Sequence, residues 1–143
     1  MNTRPANPEK LGPTNPYTHF AEENLYKSVP HIFEQSVSKH YDRIAIQETD
    51  QSLSYNTLNN EANRLAQAIL SELGSSEQSV ALILEHGTSS IISILGALKA
   101  GKTHVPISPA SPPDRASHII EDSESKLIIT NNKNRTLAEK VRT

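Results

Sequence analysis

Six of the eight positions from 91 to 98 (IISILGAL) are apolar: Ile91, Ile92, Ile94, Leu95, Ala97 and Leu98. They occupy too many helical directions for a half-exposed amphipathic helix, so the pattern predicts a helix buried on most sides. Gly101 stands just past the last apolar turn, where a left-handed residue ends a helix at little steric cost. Lys99 and Lys102 lie at the negative end of the helix dipole, and on this reading Lys102 is solvated. Thr103, Val105 and Ile107 then alternate around Pro106, the pattern of a short strand at the start or end of a sheet. Residues 79–84 (SVALIL) precede the helix as a continuous apolar run, which suits a strand covered on both faces. Strand, buried helix, glycine stop and strand make one βαβ unit.

The flanking patterns extend it. Residues 28–40 read as a helix, with Ser28 as cap, Pro30 in the first turn, and Val29, Ile32, Phe33 and Val37 as an apolar stripe. Residues 43–55 alternate Ile44 and Ile46 with smaller or polar residues, break at Asp50 and Gln51, and resume at Leu53, which predicts a hairpin. Ser54 then caps a long helix, with Leu53 and Leu58 at the spacing of a hydrophobic staple and Thr57 where a capping box wants Glu. Leu58, Ala62, Leu65, Ala66, Ile69 and Leu73 hold one face of that helix until Gly74 closes it.

Beyond the strand at 103–107, Ser111 is the expected cap, Pro112 the first helical residue and Asp114 the acidic partner of a helix running to about residue 121. Residues 126–130 (KLIIT) read as another strand, and NRTLAEKVRT as the beginning of a further helix. The fold class expected is α/β: a parallel βαβαβ portion preceded by a helix and a hairpin. Residues 1–27 are proline-rich and poor in apolar positions, a flexible or strap-like lead-in to a unit spanning 28–143.

Composition removes several function classes. With 14 basic and 16 acidic residues and no tryptophan, the 143-residue chain has no electrostatic footprint for nucleic acid. The absence of cysteine excludes disulfides, thiolate metal sites and a cysteine nucleophile. No apolar run reaches membrane-spanning length and no signal peptide is evident, so a cytoplasmic protein without membrane contact is expected.

Candidate chemistry is sparse. The five glycines are isolated, so no phosphate-cradling loop is present. Glu85, His86 and Gly87 follow a predicted parallel strand, where α/β folds bind ligands; the competing reading is a turn leading into a cap at Thr88 or Ser89. His118, Glu121 and Asp122 share a helix face, as half a metal site or as a charge pair. Gly96 inside the apolar helix marks either a ligand's approach or close helix-to-strand packing. From the residues alone no catalytic, cofactor-binding or metal-binding residue is assigned.

Two motifs carry a family resemblance. Residues 53–58 (LSYNTL) and 98–108 (LKAGKTHVPIS) resemble the first two core motifs of amino-acid adenylation domains of nonribosomal peptide synthetases, within the adenylate-forming ligase superfamily. HIFEQ, NEANRLAQAI, SVALIL and LIIT fall in the family's order, so the resemblance covers about residues 28–130. Thr57, His104, Ser108 and Tyr41 depart from the pattern at positions that cap and pack. The resemblance implies the N-terminal part of the large subdomain of an adenylate-forming enzyme. It also implies that the phosphate loop, the ribose-binding acid, the specificity pocket and the catalytic lysine lie beyond Thr143. ATP and Mg are accordingly implied for the complete domain and no cofactor for this portion, which is not expected to be active alone. The implied partners are the remainder of the adenylation domain or a carrier-protein module. Rival readings are a split-enzyme subunit, a non-catalytic interaction module of the same fold, and part of an acyl-activating ligase.

Overall fold

A computed structural model describes residues 20–141. A 3-10 helix at Glu22–Tyr26 leads into α1 (Val29–His40), and a hairpin of β1 (Ile44–Gln47) and β2 (Ser52–Ser54) follows. Then come α2 (Tyr55–Leu73), β3 (Ser79–Ile83), α3 (Thr88–Lys99), β4 (Thr103–Ile107), α4 (Pro113–Asp122) and β5 (Leu127–Thr130). A 3-10 turn at Asn132–Asn134 runs into α5 (Arg135–Val141). Residues 1–19, most of the expected lead-in, lie outside the described residues.

The main sheet is parallel, in the order β4-β3-β5, and the hairpin is a separate antiparallel pair. The central strand explains why SVALIL is apolar throughout. Ala81 and Ile83 face one way, into a core shared with Ile107, Ala116, Ile120, Ala138 and Val141. Val80 and Leu82 face the other way, onto Ala66, Ile69, Ala97 and Ala100. Side chains alternate along a strand, so helices on both faces demand apolar residues at every position. A third cluster, Leu58, Ala62 and Leu95 with Phe33, Ala45, Ile46 and Ile92, joins α1 and the hairpin to the α2–α3 layer.

Local caps formed largely where the sequence places them. Ser28 Oγ accepts from His31 N, and Ser54 Oγ accepts from Thr57 N at 3.1 Å. Thr57 replaces the capping-box glutamate with a hydroxyl 3.0 Å from Ser54 Oγ. Gly74 closes α2 at φ +67°, and Gly101 closes α3 at the same angle. Gly101 N donates to Leu98 O and Lys102 N to Ala97 O, the paired bonds of a Schellman ending.

Four expectations need correction. First, α4 begins at Pro113 with Pro112 as its N-cap and no side-chain cap, so neither the Ser111 cap nor Pro112 as first helical residue holds. A residue preceding proline is driven to extended geometry, and Pro112 sits at ψ 143°, which moves the start one residue on. Second, α3 is buried less evenly than its composition suggests. Ser93, Leu95, Gly96 and Ala97 are buried, but Ile91 faces outward at 39% exposure. Third, Gly96 serves helix-to-helix packing: a Cβ there would sit 3.0 Å from the Leu65 side chain of α2. The fourth is Lys102, which is 3% exposed rather than solvated. Its Nζ donates to Gly74 O at 2.7 Å and to Ser76 O, tying the end of α2 to the start of β4.

Candidate functional site

Ligands of open parallel sheets bind outside the carboxyl ends of the strands, so the rim formed by the residues after β3, β4 and β5 is the candidate site. Sequence had singled out Glu85, His86 and Gly87 there. The structure brings them together with residues from two distant segments.

Glu85 leaves the end of β3 and reaches the turn after β5. Its Oε2 accepts from Asn131 Nδ2 at 2.9 Å and Asn134 Nδ2 at 3.0 Å, and Lys133 Nζ lies 2.9 Å from Oε1. Asn131 in turn accepts from the Asn134 backbone at 3.0 Å, so the turn is organised as the carboxylate's cradle. Thr130 Oγ1 closes the same end of the sheet by donating to Ile83 O at 2.9 Å. The hydrogen bond from Lys133, then that from Asn131, hold the Glu85 carboxyl at about 2, well below its usual 4.5.

The other end of the turn is held from the hairpin. Glu48 Oε1 accepts from Thr88 N at 2.7 Å, across 40 residues, while Gln51 Nε2 donates to Oε2 at 2.6 Å. These two donors, Gln51 first, hold the Glu48 carboxyl below its ordinary value. The expected cap at Thr88 or Ser89 is therefore replaced: Gly87 is the N-cap of α3, and a glutamate from β1's end does the capping. Gly87 adopts φ +147°, and a Cβ there would meet Glu48 Oε1 at 2.6 Å, so both backbone angle and space select glycine. His86 stands exposed between these two fastenings.

The remaining candidates separate from the rim. His118 Nδ1 lies 3.8 Å from Glu121 Oε2 on the open face of α4, an exposed side-chain pair. Asp122 takes no part in that pair, and among the described residues no group of three His, Cys, Asp or Glu could hold a metal ion. The rim carboxylates do not fit a magnesium site either, because both are committed to protein donors. A groove of about 500 Å³ runs along β5, lined by Ile120, Leu127, Ile128 and Thr130 with Arg135 and Glu139. Another, of about 580 Å³, lies between α1 and the α2–α3 layer. Among the described residues no helix is long and apolar enough to cross a membrane.

The Glu85 cradle carries a measurable pH signature. A carboxyl depressed in the folded chain contributes stability above its unfolded value, and that contribution disappears as pH falls from about 4.5 toward about 2. Glu85→Gln is expected to be less stable at neutral pH and to show a flatter stability profile across that window in acid titration of unfolding. Parallel profiles for variant and wild type would contradict the cradle. Added salt should weaken only the Lys133 part, whose side chain is 77% exposed.

Comparison with known proteins places this geometry. A family model described as AMP-binding enzyme matches residues 33–143. Surfactin synthase subunit 1 of Bacillus subtilis (strain 168) is 40% identical over 114 residues, which is 79% of this chain and 3% of that protein. Tyrocidine synthase 1 of Brevibacillus parabrevis is 38% identical over 104 residues, covering 73% of this chain and 10% of that protein. The chain thus spans a small part of the curated relatives it matches. Among solved structures, the N-terminal subdomain of Klebsiella oxytoca NpsA matches with a TM-score of 0.70 at 21% identity, over 82% of this chain and 34% of that one. The anthranilate CoA ligase AuaEII, in complex with anthranoyl-AMP, matches at a TM-score of 0.76 and 22% identity, over 82% of this chain and 23% of that one.

Proposed function

The chain belongs to the AMP-binding enzyme family, and from that premise we propose that it is the N-terminal scaffold portion of an amino-acid-activating domain of nonribosomal peptide synthesis. In the complete domain an amino-acid carboxylate attacks the α-phosphate of ATP, giving aminoacyl-AMP and pyrophosphate, and a carrier-protein thiol then displaces AMP. The contribution of these residues is architectural. The observation that carries the reading is the placement of the two motifs: residues 53–58 build the β2 strand and the capped start of α2, and residues 98–108 build the glycine stop of α3 and strand β4. The second motif lies directly beside the central strand, as β4 pairs with β3, and the first builds the hairpin and α2 start that pack on α3.

ATP and Mg are assigned to other parts of the complete domain, since the rim carboxylates here are occupied by Thr88, Gln51, Lys133 and two asparagines. The remainder of the domain is the first partner and the carrier protein the second; matched structures include an artificially fused adenylation-PCP di-domain. The unit is taken to span 28–143. An acyl-activating ligase shares the fold, as AuaEII does, but the synthetase relatives at 38–40% identity favour the aminoacyl reading.

A transplant tests this. Residues 28–141 replace the aligned segment of the tyrocidine synthase 1 adenylation domain, and amino-acid-dependent exchange of pyrophosphate into ATP is measured. Retained exchange with the host's amino-acid preference is expected, and the 143-residue chain by itself should give none above a blank. A folded chimaera without exchange, or with altered preference, would overturn the scaffold reading.

A further inference from the structure

We propose that Glu48 is a positioning residue that fastens the hairpin to the rim and sets the conformation of the turn at residues 85–88. The proposal rests on the scaffold reading only for its relevance to catalysis; the fastening itself is a property of this chain.

Three observations converge on it. A helix begins with backbone N–H groups that have no partner within the helix, and the usual remedy is a side chain at the N-cap position. Here the N-cap is Gly87, which has no side chain, although Thr88 and Ser89 stand beside it with hydroxyls suited to the task. The donor at Thr88 is instead taken by Glu48 Oε1 at 2.7 Å. Next, the turn is shaped around that carboxylate: Gly87 adopts φ +147°, and any Cβ there would collide with the same oxygen at 2.6 Å. Finally, the carboxylate is itself held, with Gln51 donating to its second oxygen at 2.6 Å and Glu48 N donating to Gln51 O at 2.8 Å within the hairpin turn. With one oxygen already held inside the hairpin by Gln51, the carboxylate loses less freedom when its other oxygen takes the Thr88 N–H, so it acts as a peg.

The turn so fixed is short and has Glu85 bound to the residues after β5 at its other end. The conformation at the tip of the central strand is therefore decided by side chains from two remote segments, and His86 is the residue presented between them. Loss of the Glu48 peg should free residues 86–88 while leaving the sheet, and the Glu85 cradle, in place.

Backbone NMR of the full chain, with amide exchange, tests this using Glu48→Ala and Glu48→Gln. In the alanine variant, exchange at Thr88 should accelerate at least about tenfold and chemical-shift changes should concentrate at residues 86–91 and 48–51. Glutamine keeps a carbonyl acceptor, so it should recover most of the protection at Thr88. Unchanged exchange at Thr88 in the alanine variant would overturn the proposal. So would changes spread evenly over β3, β4 and β5, the mark of general destabilisation, or a glutamine variant indistinguishable from alanine. Failure of the transplant experiment with these NMR results intact would remove the catalytic relevance and leave the fastening standing.

Discussion

Lys102→Ala is expected to destabilise the chain by about 3 kcal/mol, which on a unit of this size lowers the melting temperature by roughly 6–12 °C. Several costs combine. Two charge-assisted hydrogen bonds are lost, those from Nζ to Gly74 O and to Ser76 O. Such bonds contribute about 1.5–3 kcal/mol each, net of the exchange with water. Residues 74–76 are exposed, so water re-solvates part of what the ammonium leaves, and the sum falls short of the maximum. Removing a side chain that is 3% exposed also deletes the packing of its four-carbon stem. Lys102→Met separates the parts: it keeps an apolar stem of similar reach and loses only the ammonium, so it should cost about half as much. Thermal and denaturant unfolding of the three proteins decides the matter. An alanine variant within about 0.5 kcal/mol of wild type would mean the side chain is solvated after all, as a surface lysine's loss is usually that small.

Lys102 also marks where the sequence stops being informative. Its place after a glycine stop was legible, because a Schellman ending is a local device: Gly101 and the alternation beyond it suffice to predict a helix end and a strand. The destination of its ammonium was not, because Gly74 O and Ser76 O lie 28 and 26 residues away and are brought near only when β3 pairs with β4. The rim divides in the same way. The apolar run of β3 and the turn at Gly87 could be read directly, since strand burial and glycine conformations act over a few residues. The Glu48–Thr88 cap and the Glu85–Asn131–Asn134 cradle span 40 to 49 residues, and polar side chains leave no periodic trace of such partners. Thr88 and Ser89 even pointed elsewhere, since hydroxyls before an apolar helix are the ordinary sign of a local cap. The motif resemblance located the scaffold without help from these long-range bonds, because LSYNTL and LKAGKTHVPIS encode caps and strands rather than reacting groups.

Substitutions at Gly101 test the local half of that division. The residue sits at φ +67°, and a Cβ built there meets nothing within 4 Å, so any penalty comes from the backbone and not from crowding. An L-residue in the left-handed region costs about 1–2 kcal/mol, less for asparagine, whose side chain tolerates that region, and most for a β-branched residue. The expected order of stability is therefore glycine, asparagine, alanine and then valine, with Gly101→Val about 2 kcal/mol below wild type. Gly74 is not equivalent: it has the same φ but ψ −165°, a region open essentially to glycine alone, so asparagine should gain nothing over alanine there. Strain at Gly101 competes directly with the two closing bonds, Gly101 N to Leu98 O and Lys102 N to Ala97 O, and the latter bond aims Lys102 at its buried partners. Relaxation of the turn would then loosen the Nζ bonds as well, and the double variant Gly101→Val/Lys102→Met should be less destabilised than the sum of the singles. Strict additivity, or a flat series at Gly101, would separate the helix stop from the buried lysine and refute their coupling.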